Sequence, residues 1–248
     1  MEVEGEGEPV TVLAHGLTNS CKELAPFTPL VGGTKVRFCF RGHGHSTAPE
    51  SGYRFADFGR DLDAVARAYG ATNAVGTSLG AGAICNLLAT DPDRFERMVF
   101  LLPAGLDRPF RNRERFLHTA DLLDGRSPEE AVEAILSDPD RAAEYLQTPW
   151  RLDFDRAMWE HRDPDGLARA IRGVIEDHPV SDRELLRAVT APVLLICLEG
   201  DPIHPAELGR ILADLMLNAE LIVFESIDAM LGAIPRLVRR VSEFLGAA

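Results

Sequence analysis

The chain has 248 residues, of which 46% are hydrophobic and 26% charged, enough for a large core in one large or two small domains. Its formal net charge of −13 argues against a nucleic-acid partner, which would want a basic face, and against docking on an anionic membrane. No apolar run reaches transmembrane length, and the acidic start MEVEGEGEPV is unlike a signal peptide, which fits a cytoplasmic protein.

Residues 1–8 alternate glutamate with small residues and read as a frayed lead-in or an edge strand. Residues 10–14 (VTVLA) predict a strand ending at His15-Gly16. Residues 35–40 (KVRFCF) predict a second, ending at Arg41-Gly42-His43-Gly44. Over 55–69 the apolar residues Phe55, Phe58, Leu62, Val65 and Ala66 recur on one helical face. A short strand at 72–75 runs into Gly76-Thr77-Ser78-Leu79-Gly80, and a helix follows over 81–90. Further strands are predicted at 98–102, 192–198 and 221–224, with helices at 205–217 and 234–245. Strands alternating with amphipathic stretches predict an α/β fold, a mostly parallel sheet with flanking helices. Each polar motif falls at the C-terminal end of a strand, the edge where open sheets of this kind bind ligands.

From 106 to 189 that rhythm breaks. The stretch has no strand-like run and reads as helices joined at prolines, with Phe110, Phe116, Trp150, Phe154, Met158 and Trp159 among its large apolar residues. It predicts a helical cap inserted into a core made of 1–105 and 190–248, covering the Ser78 pocket. Four scattered cysteines lack metal or redox spacing. Cys39, Cys85 and Cys197 fall in strand- or helix-like runs and read as buried, reduced thiols.

A G-x-S-x-G between a strand and a helix is a nucleophile elbow. The turn is tight, so small residues flank it, and the serine projects from the sheet edge. The helix that follows aims N–H groups and its dipole at the same spot. The alternative is a Gly-rich turn that only packs a helix close to a sheet.

With these motifs assembled, the chain resembles the α/β-hydrolases over nearly its whole length, in particular the capped esterases, lactonases and carbon–carbon-bond hydrolases. The resemblance rests on His15-Gly16-Leu17, Arg41-Gly42-His43-Gly44-His45-Ser46, the Gly76–Gly80 elbow and Gly200-Asp201-Pro202-Ile203-His204-Pro205. It implies that Ser78 is the nucleophile and that the N–H groups of Leu17 and Leu79 form the oxyanion hole. It also implies that Asp201 is the acid orienting a histidine, and that His15, His43 and His45 shape loops. Asp201 also reads as a turn residue or helix cap.

The histidine departs from the family pattern. It should follow the last strand, where this chain reads Glu225-Ser226-Ile227-Asp228-Ala229-Met230-Leu231-Gly232, with Ala229 in the natural place. No histidine follows His204. Asp228 would be a poor direct base, since an exposed carboxylate is too weakly basic. His204, three residues beyond Asp201 at a helix start, is the first substitute; His118, His161 and His178 are weaker ones. Otherwise the protein binds its ligand without hydrolysing it or catalyses a lyase- or cyclase-type step. A deliberate replacement of histidine by Ala229 would read the same way.

The expected activity is hydrolysis of a small apolar ester or lactone through a serine acyl-enzyme. The expected partner is that small apolar substrate or ligand; a homodimer is left open. No cofactor is indicated, since the histidines and cysteines lack ligand spacing. A structural protein without a pocket is the third class.

Overall fold

A computed structural model describes residues 1–110, 112–147, 152–153, 155–156, 159 and 161–246. Seven strands make one sheet in the order β1-β3-β2-β4-β5-β6-β7. They are β1 (Glu2–Glu4), β2 (Val10–Ala14), β3 (Thr34–Phe38), β4 (Asn73–Thr77), β5 (Arg97–Leu101), β6 (Val193–Leu198) and β7 (Ala219–Phe224). Only β1 is antiparallel to its neighbour. It is the acidic edge strand at the start of the chain, and Glu2 and Glu4 both pair with Arg37 on β3.

The strands sort their side chains by twos, because successive residues of a strand face opposite sides of the sheet. Val12, Ala14, Ala74, Met98, Phe100, Val193 and Leu195 enter one core. There they meet the helices Phe55–Tyr69, Leu79–Leu88 and Ala206–Leu215. Leu13, Val75, Val99, Leu101, Leu194 and Ile196 enter the other, against Leu237, Val241 and Phe244 of the helix Ile227–Phe244. Strands buried on both faces read as continuous apolar runs, which is why β6 is VLLICL.

The order β3-β2-β4 creates the site. From β2 the chain moves outward to β3 and then returns to β4 on the other side of β2. The loops after β2 and β4 therefore diverge around a crevice at the C-terminal edge, where such sheets bind ligands.

Between Leu101 and Val193 the described residues contain no strand. Helices Arg113–Asp121, Pro128–Leu136, Pro139–Gln147 and Pro164–Ile175 fill the interval, followed by a 3-10 turn at Arg183–Ala188. Three of them open on proline, whose fixed φ suits a first turn and whose missing N–H costs nothing there. Ala120, Leu123, Ile135, Leu167, Ile171 and Ile175 give the segment a core of its own. It touches the C-terminal sheet edge: Asn112 Nδ2 donates to Pro202 O after β6 at 2.7 Å, and Arg162 N to Gly44 O after β3 at 2.9 Å.

One boundary corrects the sequence reading. The last helix begins at Ile227, not at 234. Pro235 looks like a first-turn proline, but it lies inside the helix. The actual start is set by Ser226, whose Oγ accepts the N–H of Ala229 at 3.2 Å. Ala229 is therefore an exposed residue of a capped first turn, five residues after the end of β7 at Phe224.

Candidate active site

Ser78 sits between β4 and the helix Leu79–Leu88 with φ 49° and ψ −103°, a left-handed backbone that a residue with a Cβ adopts only under constraint. Its N–H donates to Leu101 O at 3.0 Å, and its carbonyl accepts Gly82 N–H at 3.1 Å. The flanking glycines are required by space. A Cβ on Gly76 would lie 2.5 Å from the carbonyl carbon of Gly80. A Cβ on Gly80 would lie 2.2 Å from Ala14 O. Gly80→Ala is expected to cost about 1–3 kcal/mol by overpacking backbone that cannot move aside, lowering Tm by roughly 3–10 °C in a thermal melt.

Among the described residues, three non-glycine residues have positive φ: Thr18, Ser78 and Leu102. They follow β2, β4 and β5, so backbone strain gathers at one stretch of sheet edge, as it does at functional sites. Leu79 opens its helix, so its N–H is one of the donors left without an intrahelical acceptor. Leu17 follows Gly16, and Gly16 lies against Ser78: a Cβ added there would be 3.5 Å from Ser78 Cβ.

That same added Cβ would be 3.4 Å from Glu23 Oε1, which identifies a residue the sequence reading missed. Glu23 Oε2 accepts the N–H of Gly16 at 2.7 Å, and Oε1 accepts from the amide of Asn19. The carboxylate thus folds the loop 16–23 back on itself beside Ser78. Burial pushes its pKa up to about 7, against the pull of the Gly16 and Asn19 hydrogen bonds. Spacing carried no signal for it, since a lone glutamate in an irregular loop has no period to break.

Asp201 and His204 meet after β6. His204 Nδ1 is 2.9 Å from Asp201 Oδ2. Asp201 Oδ1 accepts the backbone N–H groups of Ile203 and His204 at 2.8 and 3.0 Å. Burial would raise the Asp201 pKa, but the His204 ring and those two N–H groups outweigh it and hold it at about 2. The carboxylate is therefore charged, and it places a proton on Nδ1, the nitrogen that faces it. Nε2 points away from that pair, with no protein partner among the described residues. The two oxygens of Asp201 divide the contacts: one holds the turn and the other meets the His204 ring.

The other histidines are engaged differently. His15 is buried; Nε2 accepts Phe40 N–H at 3.0 Å, so Nδ1–H donates to Gly16 O at 2.7 Å. Burial lowers its pKa to about 4, which keeps it neutral. His43 is buried, donates from Nδ1 to Arg41 O at 2.9 Å, and burial lowers its pKa well below the ordinary value. His161 accepts Gly44 N–H on Nδ1 at 3.0 Å and donates from Nε2 to Thr18 O at 2.9 Å. With both nitrogens on backbone it ties two edge loops to the helical segment. His118 pairs with Asp138 at 2.6 Å and His178 with Asp177 at 3.6 Å, both within that segment and its return to the core. His45 is exposed.

Phe110 and Phe116 line a cavity of about 220 Å³ together with Leu106, Pro202, Ile203 and Ile211. It adjoins the Asp201 loop, and Ser78 is not in its wall. Trp159 packs on the ring of His161 at 5.2 Å between centroids. Trp150, Phe154 and Met158 lie outside the described residues. Among the described residues no group of three or more His, Cys, Asp or Glu could hold a metal, and no helix is long and apolar enough to cross a membrane.

Solved structures share this frame. The chain superposes on an enol-lactonase from Burkholderia xenovorans LB400 with a TM-score of 0.78 at 22% identity, covering 99% of this chain and 95% of that one. An esterase from Exiguobacterium antarcticum gives 0.76 at 15% identity, with 99% and 94% covered. MenH from S. aureus gives 0.75 at 15% identity, with 99% and 97% covered. At these identities the likeness is one of fold. Residues 12–228 match the family described as alpha/beta hydrolase fold, a span that runs from β2 through the elbow to the start of the last helix, and the chain belongs to that family.

Proposed function

We propose that the protein hydrolyses a small, largely apolar ester or lactone through an acyl-enzyme on Ser78. Ser78 Oγ attacks the carbonyl carbon and its proton passes to His204 Nε2. Asp201 holds the other side of the ring and stabilises the imidazolium. The N–H groups of Leu17 and Leu79 receive the developing oxyanion. The imidazolium then protonates the leaving alkoxide, the carbonyl re-forms, and water repeats the sequence to release the acid.

The observation that carries this reading is the left-handed Ser78 at the head of a helix, because packing alone gives no reason to strain a serine there. The Asp201–His204 pair supports it with an oriented imidazole on the same sheet edge. β5 separates the ends of β4 and β6, so the strand ends stand about 10 Å apart, and the two side chains must close that gap over β5. The cavity beside the Asp201 loop is mixed, with Leu106, Phe110, Phe116 and Ile211 facing Arg108, Asn112, Arg183 and Glu207. The ester or lactone class therefore rests on the esterase and lactonase among the fold relatives, and its apolar part on those four apolar side chains.

A second reading keeps the pocket without hydrolysis: the protein binds an apolar ligand or rearranges it. The capped, exposed turn at Ser226–Ala229, which lacks a histidine, favours it. One experiment separates the two. The intact protein is incubated with short p-nitrophenyl esters, with aliphatic lactones and with a fluorophosphonate. Hydrolysis together with a phosphonate adduct mapped to Ser78 is expected. An unlabelled Ser78 and substrates recovered unchanged would replace hydrolysis by binding.

A further inference from the structure

The four cysteines do not form one class. Cys85 and Cys197 are buried, and burial pushes their thiols up to about 12 and 11. Cys21 and Cys39 are both half-exposed, which corrects the expectation of a buried Cys39. They line one surface cleft of about 300 Å³ with Ser20, Gly44 and Ser46. Cys39 lies just past β3, and Cys21 lies in the loop 16–23 after β2. The sheet order brings them together because β2 and β3 are neighbours.

The geometry points to Cys39 as a modification site for hydroperoxides, with Cys21 as the thiol that resolves the product into a disulfide. Cys21 N–H donates to Cys39 Sγ at 3.2 Å, which places the two residues side by side in the cleft. A backbone donor on that sulfur favours the thiolate, which is the reactive form. Consistent with this, the hydrogen bonding from Cys21 lowers the Cys39 pKa below the ordinary thiol value, while Cys21 is raised and keeps its proton.

The chemistry balances in two steps. Cys39 thiolate attacks one peroxide oxygen; the S–O bond forms, the O–O bond breaks, and the departing oxygen takes a proton to leave as water or an alcohol. Cys21 then gives up its proton and attacks the sulfenic sulfur; the S–S bond forms, the S–O bond breaks, and the hydroxyl leaves as water. The sulfur pair loses two electrons and the hydroperoxide gains them. The new bond fastens the loop carrying Leu17 and Glu23 to the end of β3.

The test uses the whole protein and hydrogen peroxide, read by peptide mass spectrometry. Before oxidation, iodoacetamide at pH 7 is expected to alkylate Cys39 at least about tenfold faster than Cys85 or Cys197. After peroxide, the Cys21 and Cys39 peptides are expected to be joined and to separate with dithiothreitol. In Cys21→Ser, dimedone should trap a sulfenic acid on Cys39. If Cys39 is alkylated no faster than the two buried thiols, or if excess peroxide joins other cysteines or separate chains, the assignment fails. The unaltered chain decides this alone should the serine variant not fold.

Discussion

Alanine at Ser78 and alanine at His204 are each expected to lower kcat on a short activated ester by about 10³-fold or more, and the double variant is expected to be no slower than the worse single one. Nucleophile and base act as a unit, since a serine hydroxyl without an acceptor for its proton is a weak nucleophile, and an imidazole without the serine has nothing to activate. The residual rate comes from the oxyanion donors and binding, about 10³–10⁴ over water in serine hydrolases. Asp201→Asn belongs to the same series and should cost about 10²–10⁴, because an amide no longer fixes the His204 tautomer. Asp201, held at about 2, stays charged across any practical assay range, so no activity change above about pH 4 is expected from its titration. Steady-state kcat for the four variants checks the series. Losses that multiply in the double variant would show that His204 acts apart from Ser78 and would end its assignment as the base.

The legibility of this chain follows the range of the forces involved. The sheet could be read because burial on both faces leaves continuous apolar runs such as 193–198, which alternate here with amphipathic stretches as in a parallel sheet with crossover helices. The elbow could be read because Gly76 and Gly80 are there for lack of space, and a steric demand shows in residue type. The start of the last helix could not, because Pro235 signals a first turn more strongly than Ser226 does, and a proline tolerated inside a helix leaves no mark of its own. Asp201 and His204 are three residues apart, so their pairing was within reach of local reasoning. His161 was not. It serves Thr18 and Gly44 from across the fold, and no local pattern encodes a contact made through a helical insertion. The Cys21–Cys39 contact depends likewise on strand order.

Glu23→Gln is expected to reverse its effect on stability between acid and neutral pH. Glu23 is ordinarily a group that ionises near 4.5, and burial raises it to about 7 in the folded chain. Between those values the unfolded chain has released the proton while the folded chain retains it. Stability contributed by the protonated form is therefore complete below about pH 4.5 and is lost as pH rises through about 7. The difference corresponds to an upper bound of about 3 kcal/mol, or roughly 6–12 °C in Tm for a chain of this size. Glutamine keeps the shape and can still accept the Gly16 N–H through its amide oxygen. Its NH₂ then faces Asn19, which can turn its own oxygen toward it. The variant has no proton to lose there, so it should match or trail the parent at pH 5 and exceed it at pH 8. Thermal unfolding of both proteins at intervals from pH 4 to 8 gives the answer, and Tm curves that stay parallel throughout would mean that Glu23 does not titrate in this range. The cost at neutral pH falls on a carboxylate whose hydrogen bonds turn Gly16 toward Ser78. Stability at neutral pH is thus set against loop geometry, since an apolar side chain there would avoid the carboxylate's burial but leave the Gly16 N–H without its acceptor.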